Sequence, residues 1–337
     1  TKVISTFGNI NLYASYLSIS IPELLAVFAF CKNWFSRILS GILLIAAGCN
    51  ILIANSDSVF LGIFAGVVVV TILAFMQCRL RYSSFAVFLL FVGNLVLGFI
   101  NKYGHTRYDK KRGGLAIALN RLDIAFVLCG AALLVFAVVC VCNWKLGTRV
   151  AAWNKKKIVL IVCGACVALG VIGIIVLAVT GSSLLTFNDK WGSYRGYIWR
   201  KIVEVYGDAP FVNKLFGYGN ESVRVTLKAA CYNEMVQVTG KVYDNAHNEL
   251  LQYLFTTGIV GLLSYLALVG SSIVYMFKHA KEHAWISVCL AATVGYFAQS
   301  ILNLNQPITT PLFFVFMAMG VGTVNYCRRV KELEKRA

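Results

Sequence analysis

The chain alternates long apolar runs with short basic segments, and that alternation limits its fold more than any other feature. A run crosses the hydrocarbon core of a bilayer as a helix when it holds about 20 apolar residues, within a range of about 17–25. Nine stretches reach that length, at 12–30, 38–54, 59–76, 84–100, 122–142, 158–180, 250–277, 284–304 and 308–327. Lipid supplies no partner for backbone N–H and C=O groups, so each run must satisfy its own by coiling into a helix. The expected fold class is therefore all-α, a polytopic membrane bundle. Only 13% of the 337 residues are charged, against about 25% in a soluble domain. The net charge of +17 would suggest nucleic acid in a soluble protein. Here many of the cations flank apolar runs, as membrane insertion favours, and no nucleic-acid partner is expected.

The basic C-terminal tail, RRVKELEKRA, is placed in the cytoplasm, and alternation then assigns every connection. The cytoplasmic segments CKNWFSR, QCRLR, NWKLGTRVAAWNKKK and KHAKEH, together with the tail, carry 16 of the 31 Lys and Arg residues. The six tryptophans sit in connections or at span edges, as an interfacial belt does. The expected organisation is a block of about six spans over 1–180, a large extracytoplasmic loop over 181–246, and about three further spans with a basic tail over 247–337. Cysteines suggest no disulfide framework, since only Cys231 falls in an outer loop. Cys163 and Cys166 have CxxC spacing, but inside an apolar run where ordinary helix packing is the simpler reading.

Two groups of cations fall on the outer side, and the short first loop breaks the positive-inside tendency. The loop NKYGHTRYDKKRGG carries Lys102, Arg107, Lys110, Lys111 and Arg112 against one acid. The segment 181–246 adds eight cations and six acids. An anionic ligand would account for them, and so would lipid headgroups or solvent. Glu23, next to Pro22 inside the first run, is either functional, as intramembrane acids tend to be, or a partner for a kinked backbone. Arg121 and Asp123 are close enough to pair.

The large loop opens with DKWGSYRGYIWRKIVEVYGD. Trp191, Tyr194, Ile198, Ile202 and Tyr206 recur at helical spacing, which predicts an amphipathic helix lying on the membrane surface. Arg200 has Glu204 one turn away, a ready ion pair, and is otherwise a candidate for the substrate. Arg195 lies on the apolar face with no acid at helical spacing. Its planar guanidinium suits a phosphate. The loop closes with KVYDNAHNELLQYLFTTGIVGLL. Asp244 and Asn245 are good N-cap types, which would place His247 in the first turn of a membrane helix. The helix dipole and a nearby arginine would then keep the imidazole neutral and able to accept a proton. The alternative is an interfacial histidine with a capping bond.

The run AHNELLQYLFTTGIVGLL resembles the signature of the O-antigen ligase and polymerase superfamily: a His-Asn pair, then leucines, then a glycine pair within the span. FGNINLYASYL is similar to the family's Asn-x-Asn segment that opens a span. Arg195 with Trp199 resembles its Arg-x-x-x-Trp element, and LFGYG its Gly-x-Gly element. Pro307 and Pro311, between the last two runs, also fit. The family's Ser-Arg pair is absent, because NSDSVFLG has Asp57 where arginine is expected. Arg112 or Arg121 could take over that phosphate contact. The family usually has more spans ahead of this region, so further residues are expected before Thr1.

The resemblance implies a bundle of the GT-C type. It implies transfer of a glycan from undecaprenyl pyrophosphate to an acceptor hydroxyl outside the cytoplasmic membrane, with no metal and no cofactor. The acceptor would be a glycan, a lipid or a cell-wall polymer. Carried over residue by residue, His247 and Arg195 become the catalytic pair. Asn248, Arg200, Lys111, Arg112 and Arg121 become candidate substrate contacts. A ligase and a polymerase differ in acceptor and are not separated by these motifs. The rival reading is a transporter or flippase of an anionic lipid-linked saccharide. It predicts charges at mid-membrane depth and repeated halves, and the sequence shows few of the first and none of the second.

Overall fold

The computed structural model describes residues 9–54, 56–103, 121–152, 188–303 and 307–336. The described residues form eleven helices and no strand. In chain order they are α1 (Ile10–Phe30), α2 (Trp34–Ala54), α3 (Asp57–Met76), α4 (Leu80–Tyr103), α5 (Leu122–Ala152), α6 (Trp191–Gly207), α7 (Phe211–Phe216), α8 (Ser222–Thr239), α9 (Glu249–His279), α10 (Ala284–Ser300) and α11 (Thr310–Glu334). Seven of them, α1 to α5, α9 and α11, are long and apolar enough to cross a membrane, and α10 is a shorter apolar helix. The chain is thus a polytopic helical membrane protein. The run expected at 158–180 lies outside the described residues, as do Cys163 and Cys166.

The chain divides into two compact units. One comprises Thr1–Trp153, Gly270–Gln299 and Gln306–Ala337; the other comprises Asn154–Val269 and Ser300–Asn305. In the first unit α1 begins where the sequence puts the Asn-x-Asn segment. Asn9 is its N-cap, and the side chain accepts a bond of 2.8 Å from the Asn11 N–H, the usual device for satisfying a first-turn donor. At the other end Arg79, in the connection from α3 to α4, donates to the carbonyls of Ala29 and Phe30 at 3.2 and 3.3 Å. A cation on the last free carbonyls complements the helix dipole.

Apolar side chains gain little by leaving lipid for one another, so membrane helices cohere where small residues let backbones touch. Gly48 on α2 and Gly93 on α4 do this. A Cβ on Gly48 would collide with the Leu90 carbonyl, and one on Gly93 with the Ile45 carbonyl. A second contact of this kind joins three helices. Pro22 of α1 packs where Gly66 of α3 and Gly295 of α10 leave room for its ring. Beside it runs a buried polar chain, with Ser15 donating to Gln299 Oε1 and Gln299 Nε2 donating to Ser58, each at 3.3 Å. The outer faces are apolar and bare: Val127 is 70% exposed, Phe64 67% and Leu134 65%. Contiguous apolar surface on that scale needs lipid around it.

Some boundaries differ from the sequence expectation. α5 continues past the expected end at 142 to Ala152, and α11 runs through most of the basic tail to Glu334. Both extensions are rich in residues of good helix propensity and contain no proline. Helix and membrane span need not end together. The eighth run stops as a helix at Ser300, four residues earlier than expected, where the chain turns through Asn303, whose N–H donates to the Ser300 carbonyl at 3.2 Å.

Candidate functional site

The second unit is built on α6, α8 and the start of α9. Tyr197, Ile198 and Ile202 of α6, Val223, Leu227 and Met235 of α8, and Tyr243, Ala246 and Phe255 form its core. The apolar face expected on the 189–208 segment is real, but it packs into this core and not onto a membrane surface. The periodicity also fails at its start. Gly192, Ser193 and Tyr194 have φ of 58°, 60° and 71°, so right-handed helix begins only at Arg195. Left-handed conformation at Ser193 and Tyr194 is strained for residues with a Cβ. It is held by the Tyr243 hydroxyl, which donates to the Ser193 carbonyl at 2.9 Å, and by the Tyr197 N–H, which donates to Asp189 at 3.3 Å.

That turn delivers Arg195 at the head of α6. One helical turn later the Trp199 indole N–H donates to the Ala246 carbonyl at 2.9 Å. The bond fastens α6 to the residue immediately before His247. The Arg-x-x-x-Trp spacing thus has a physical use: the tryptophan pins the segment that carries the histidine, one turn along the helix from the arginine.

His247 lies outside the helix that follows it. Asn248 is the cap of α9, its side-chain oxygen accepting from the Leu251 N–H at 3.0 Å. Asn245, expected as a cap, instead accepts from the His247 N–H at 3.1 Å. The Ala246 N–H donates to the Gln252 side chain at 2.9 Å. Squeezed between this turn and the cap, His247 adopts φ 48°. The expectation of His247 in the first helical turn is therefore corrected by three residues of capping geometry. Asx turns and N-caps use the same residue types, so sequence alone does not separate them.

The imidazole is kept neutral by the expected nearby arginine, but burial, which was not anticipated, comes first. Its pKa is pushed down to about 4, first by burial, then by the positive charges of Arg195 and Lys241, with Asp244 opposing. Burial disfavours the charged form. Nδ1 is buried, and no hydrogen bond from the described residues reaches it. The Tyr243 ring stands edge-on to the imidazole, with centroids 5.8 Å apart. Tyr243 and Lys241 were not singled out from sequence, although KVYDNAH places both within six residues of His247.

The other candidate contacts divide. Arg200 is held by carboxylates, at 2.9 Å from Asp189, 3.4 Å from Glu204 and 3.9 Å from Glu234. The Glu204 pair was visible in the sequence, but the shortest contact, to Asp189, depends on the left-handed turn. Asn248 is occupied in capping α9. Arg121 belongs to the other unit and pairs with Asp123 at 2.7 Å, both side chains being well exposed. Lys110, Lys111 and Arg112 lie outside the described residues. Asp57 opens α3.

The Gly-x-Gly element has a structural role that the sequence did not disclose. Gly258 breaks α9 with φ 68°. The N–H groups of Tyr218 and Gly219 donate to the carbonyls of Phe255 and Thr256, both at 2.9 Å. A Cβ on Gly217 would strike the Thr256 backbone, and one on Gly258 the Leu215 carbonyl. LFGYG and the glycine of the TTG segment are two halves of one joint.

Comparison with known families finds that the O-antigen ligase family matches residues 113–266, a stretch holding Arg195, Trp199, the LFGYG joint and His247. Comparison with curated proteins gives no match.

Proposed function

We propose that this chain is a membrane glycosyltransferase of the O-antigen ligase or polymerase kind. It moves a glycan from an undecaprenyl-pyrophosphate donor to an acceptor hydroxyl on the outer face of the cytoplasmic membrane. The observation that carries the reading is a buried, neutral histidine next to an arginine, at the head of a membrane helix. Neutral imidazole is the form that takes a proton, and an arginine is the side chain best shaped to hold a diphosphate.

In the proposed step the acceptor oxygen attacks the anomeric carbon as His247 removes its proton. The bond from that carbon to the pyrophosphate oxygen breaks, and the electron pair leaves with the pyrophosphate. Arg195 balances the charge that grows on the leaving oxygen. Attack from the opposite face inverts the anomeric centre. No metal is required by this scheme. Arg195 helps to hold the imidazole pKa near 4. A pyrophosphate bound to the guanidinium would cancel that field and make His247 a better base when the donor is in place. Arg200 and Asn248 act as framework in this reading.

The test is transfer in proteoliposomes, with a lipid-linked oligosaccharide donor and a hydroxyl acceptor. Wild-type protein should form a new glycosidic bond. His247→Gln should lose about 10²–10⁴ in rate, the usual contribution of a general base, while still binding donor. Movement of the lipid-linked saccharide between leaflets without bond formation would instead establish the transporter reading.

A further inference from the structure

The short helix α7 is amphipathic, with its apolar side bare. Phe211 is 73% exposed, Val212 65% and Phe216 63%. They share one face, and Asn213 and Lys214 occupy the other. Large apolar side chains clustered in this way are uncommon on a surface that meets only water. α7 is also firmly held. The Tyr206 hydroxyl donates to the Lys214 carbonyl at 2.6 Å, and the joint at Gly258 locks the following turn.

The position of that joint along α9 indicates what covers α7. At ~1.5 Å per residue, the whole of α9 would span roughly 46 Å, well beyond a hydrocarbon core of about 30 Å. The segment after the break, Ile259–His279, spans roughly 30 Å by the same measure and fits the core. Leu263 in that segment is 57% exposed and Leu268 51%, as lipid-facing residues are. The break at Gly258 then falls at the edge of the hydrocarbon, where backbone irregularity needs protein partners, and the Tyr218 and Gly219 N–H groups supply them. α7 ends at the same joint and so lies at the same depth.

We infer that α7 is an interfacial foot, with Phe211, Val212 and Phe216 inserted at the boundary between headgroups and acyl chains of the bilayer. The foot fixes how far the second unit stands from the lipid. His247 precedes the break by one short helical segment, about 13 Å of rise for Glu249–Thr257 at ~1.5 Å per residue, so the foot keeps the site within about that reach of the hydrocarbon edge. The inference rests on the membrane crossing by α9 and is independent of the proposed chemistry.

The test places the photoreactive residue benzoylphenylalanine at Phe211, Phe216, Leu263 or Tyr232 of the full chain. Tyr232, on α8, is 44% exposed and serves as the exposed aromatic control on another helix of the same unit. Each variant is reconstituted in phosphatidylethanolamine–phosphatidylglycerol vesicles with radiolabelled acyl chains and irradiated. Lipid adducts at positions 211 and 216 should exceed those at 232 by at least about fivefold and approach those at 263. Yields at 211 and 216 no higher than at 232 would overturn the inference, as would adducts mainly to a second copy of the chain. Absence of lipid adducts at 263 would overturn it too, by removing the crossing on which it rests.

Discussion

At the scale of single residues, the site depends on what surrounds each charge. Arg195 and Arg200 are similar in sequence, each on one helix and near an aromatic residue. In the fold Arg200 is held by three carboxylates, whereas Arg195 is near enough to His247 to lower its pKa. Arg195→Lys should therefore cut transfer severely, because an ammonium keeps the charge and loses the two-pronged grip on phosphate. Arg200→Lys should change transfer little, since exposed ion pairs contribute about 0–1 kcal/mol. Equal and mild losses in a side-by-side rate assay would mean that the donor meets another face. His247 also makes stability depend on pH. Its pKa is about 4 in the fold against an ordinary 6.5, so the unfolded chain binds more protons between those values. Stability is full above about pH 6.5 and falls as pH drops towards 4, by an amount on the order of 3 kcal/mol for complete titration. Thermal unfolding in detergent should show this decline in wild type and a weaker one in His247→Gln. Parallel curves would show the imidazole to be solvated.

At the scale of elements, the joint between LFGYG and the broken α9 is the most demanding piece of geometry. Gly217 has φ 77° and meets the Thr256 backbone where a Cβ would stand. Gly217→Val should lower the unfolding temperature and impair transfer together, because both the turn and the position of α7 depend on it. Gly207, in α6, has open space for at least 4 Å around the place a Cβ would take, and no positive φ. Gly207→Ala should leave transfer intact and raise stability by about 0.5–1 kcal/mol through helix propensity. If the two variants unfold alike, the joint is not what holds the unit. The sequence showed both glycine elements, yet it could not show that they meet, because the partners are some 40 residues apart and the contact is made by backbone. The apolar face of α6 was legible from its 3.6-residue period. Its first turn was not, since Gly-Ser-Tyr in left-handed conformation leaves no mark in hydrophobic spacing.

At the scale of the whole molecule, the alternation of apolar runs and basic connections predicts sidedness. A cysteine placed at Asn220 in a cysteine-free background should react with an impermeant maleimide added to the outside of intact cells, and one at Lys156 should not. Labelling at Lys156 and protection at Asn220 would invert the topology and put the site in the cytoplasm. The sequence by itself determined that the chain is a helical membrane protein, where its described apolar helices run to within a few residues except at the C-terminal ends of α5 and α11, and that His247 and Arg195 merit attention. Lipid permits few solutions for a backbone, so hydropathy is nearly sufficient at that level. Only the tertiary structure decided that His247 stands before its helix in a strained turn, that burial keeps it neutral, and that Trp199 ties it to the helix bearing Arg195. These depend on hydrogen bonds and desolvation between segments about fifty residues apart, and no local pattern encodes such distances.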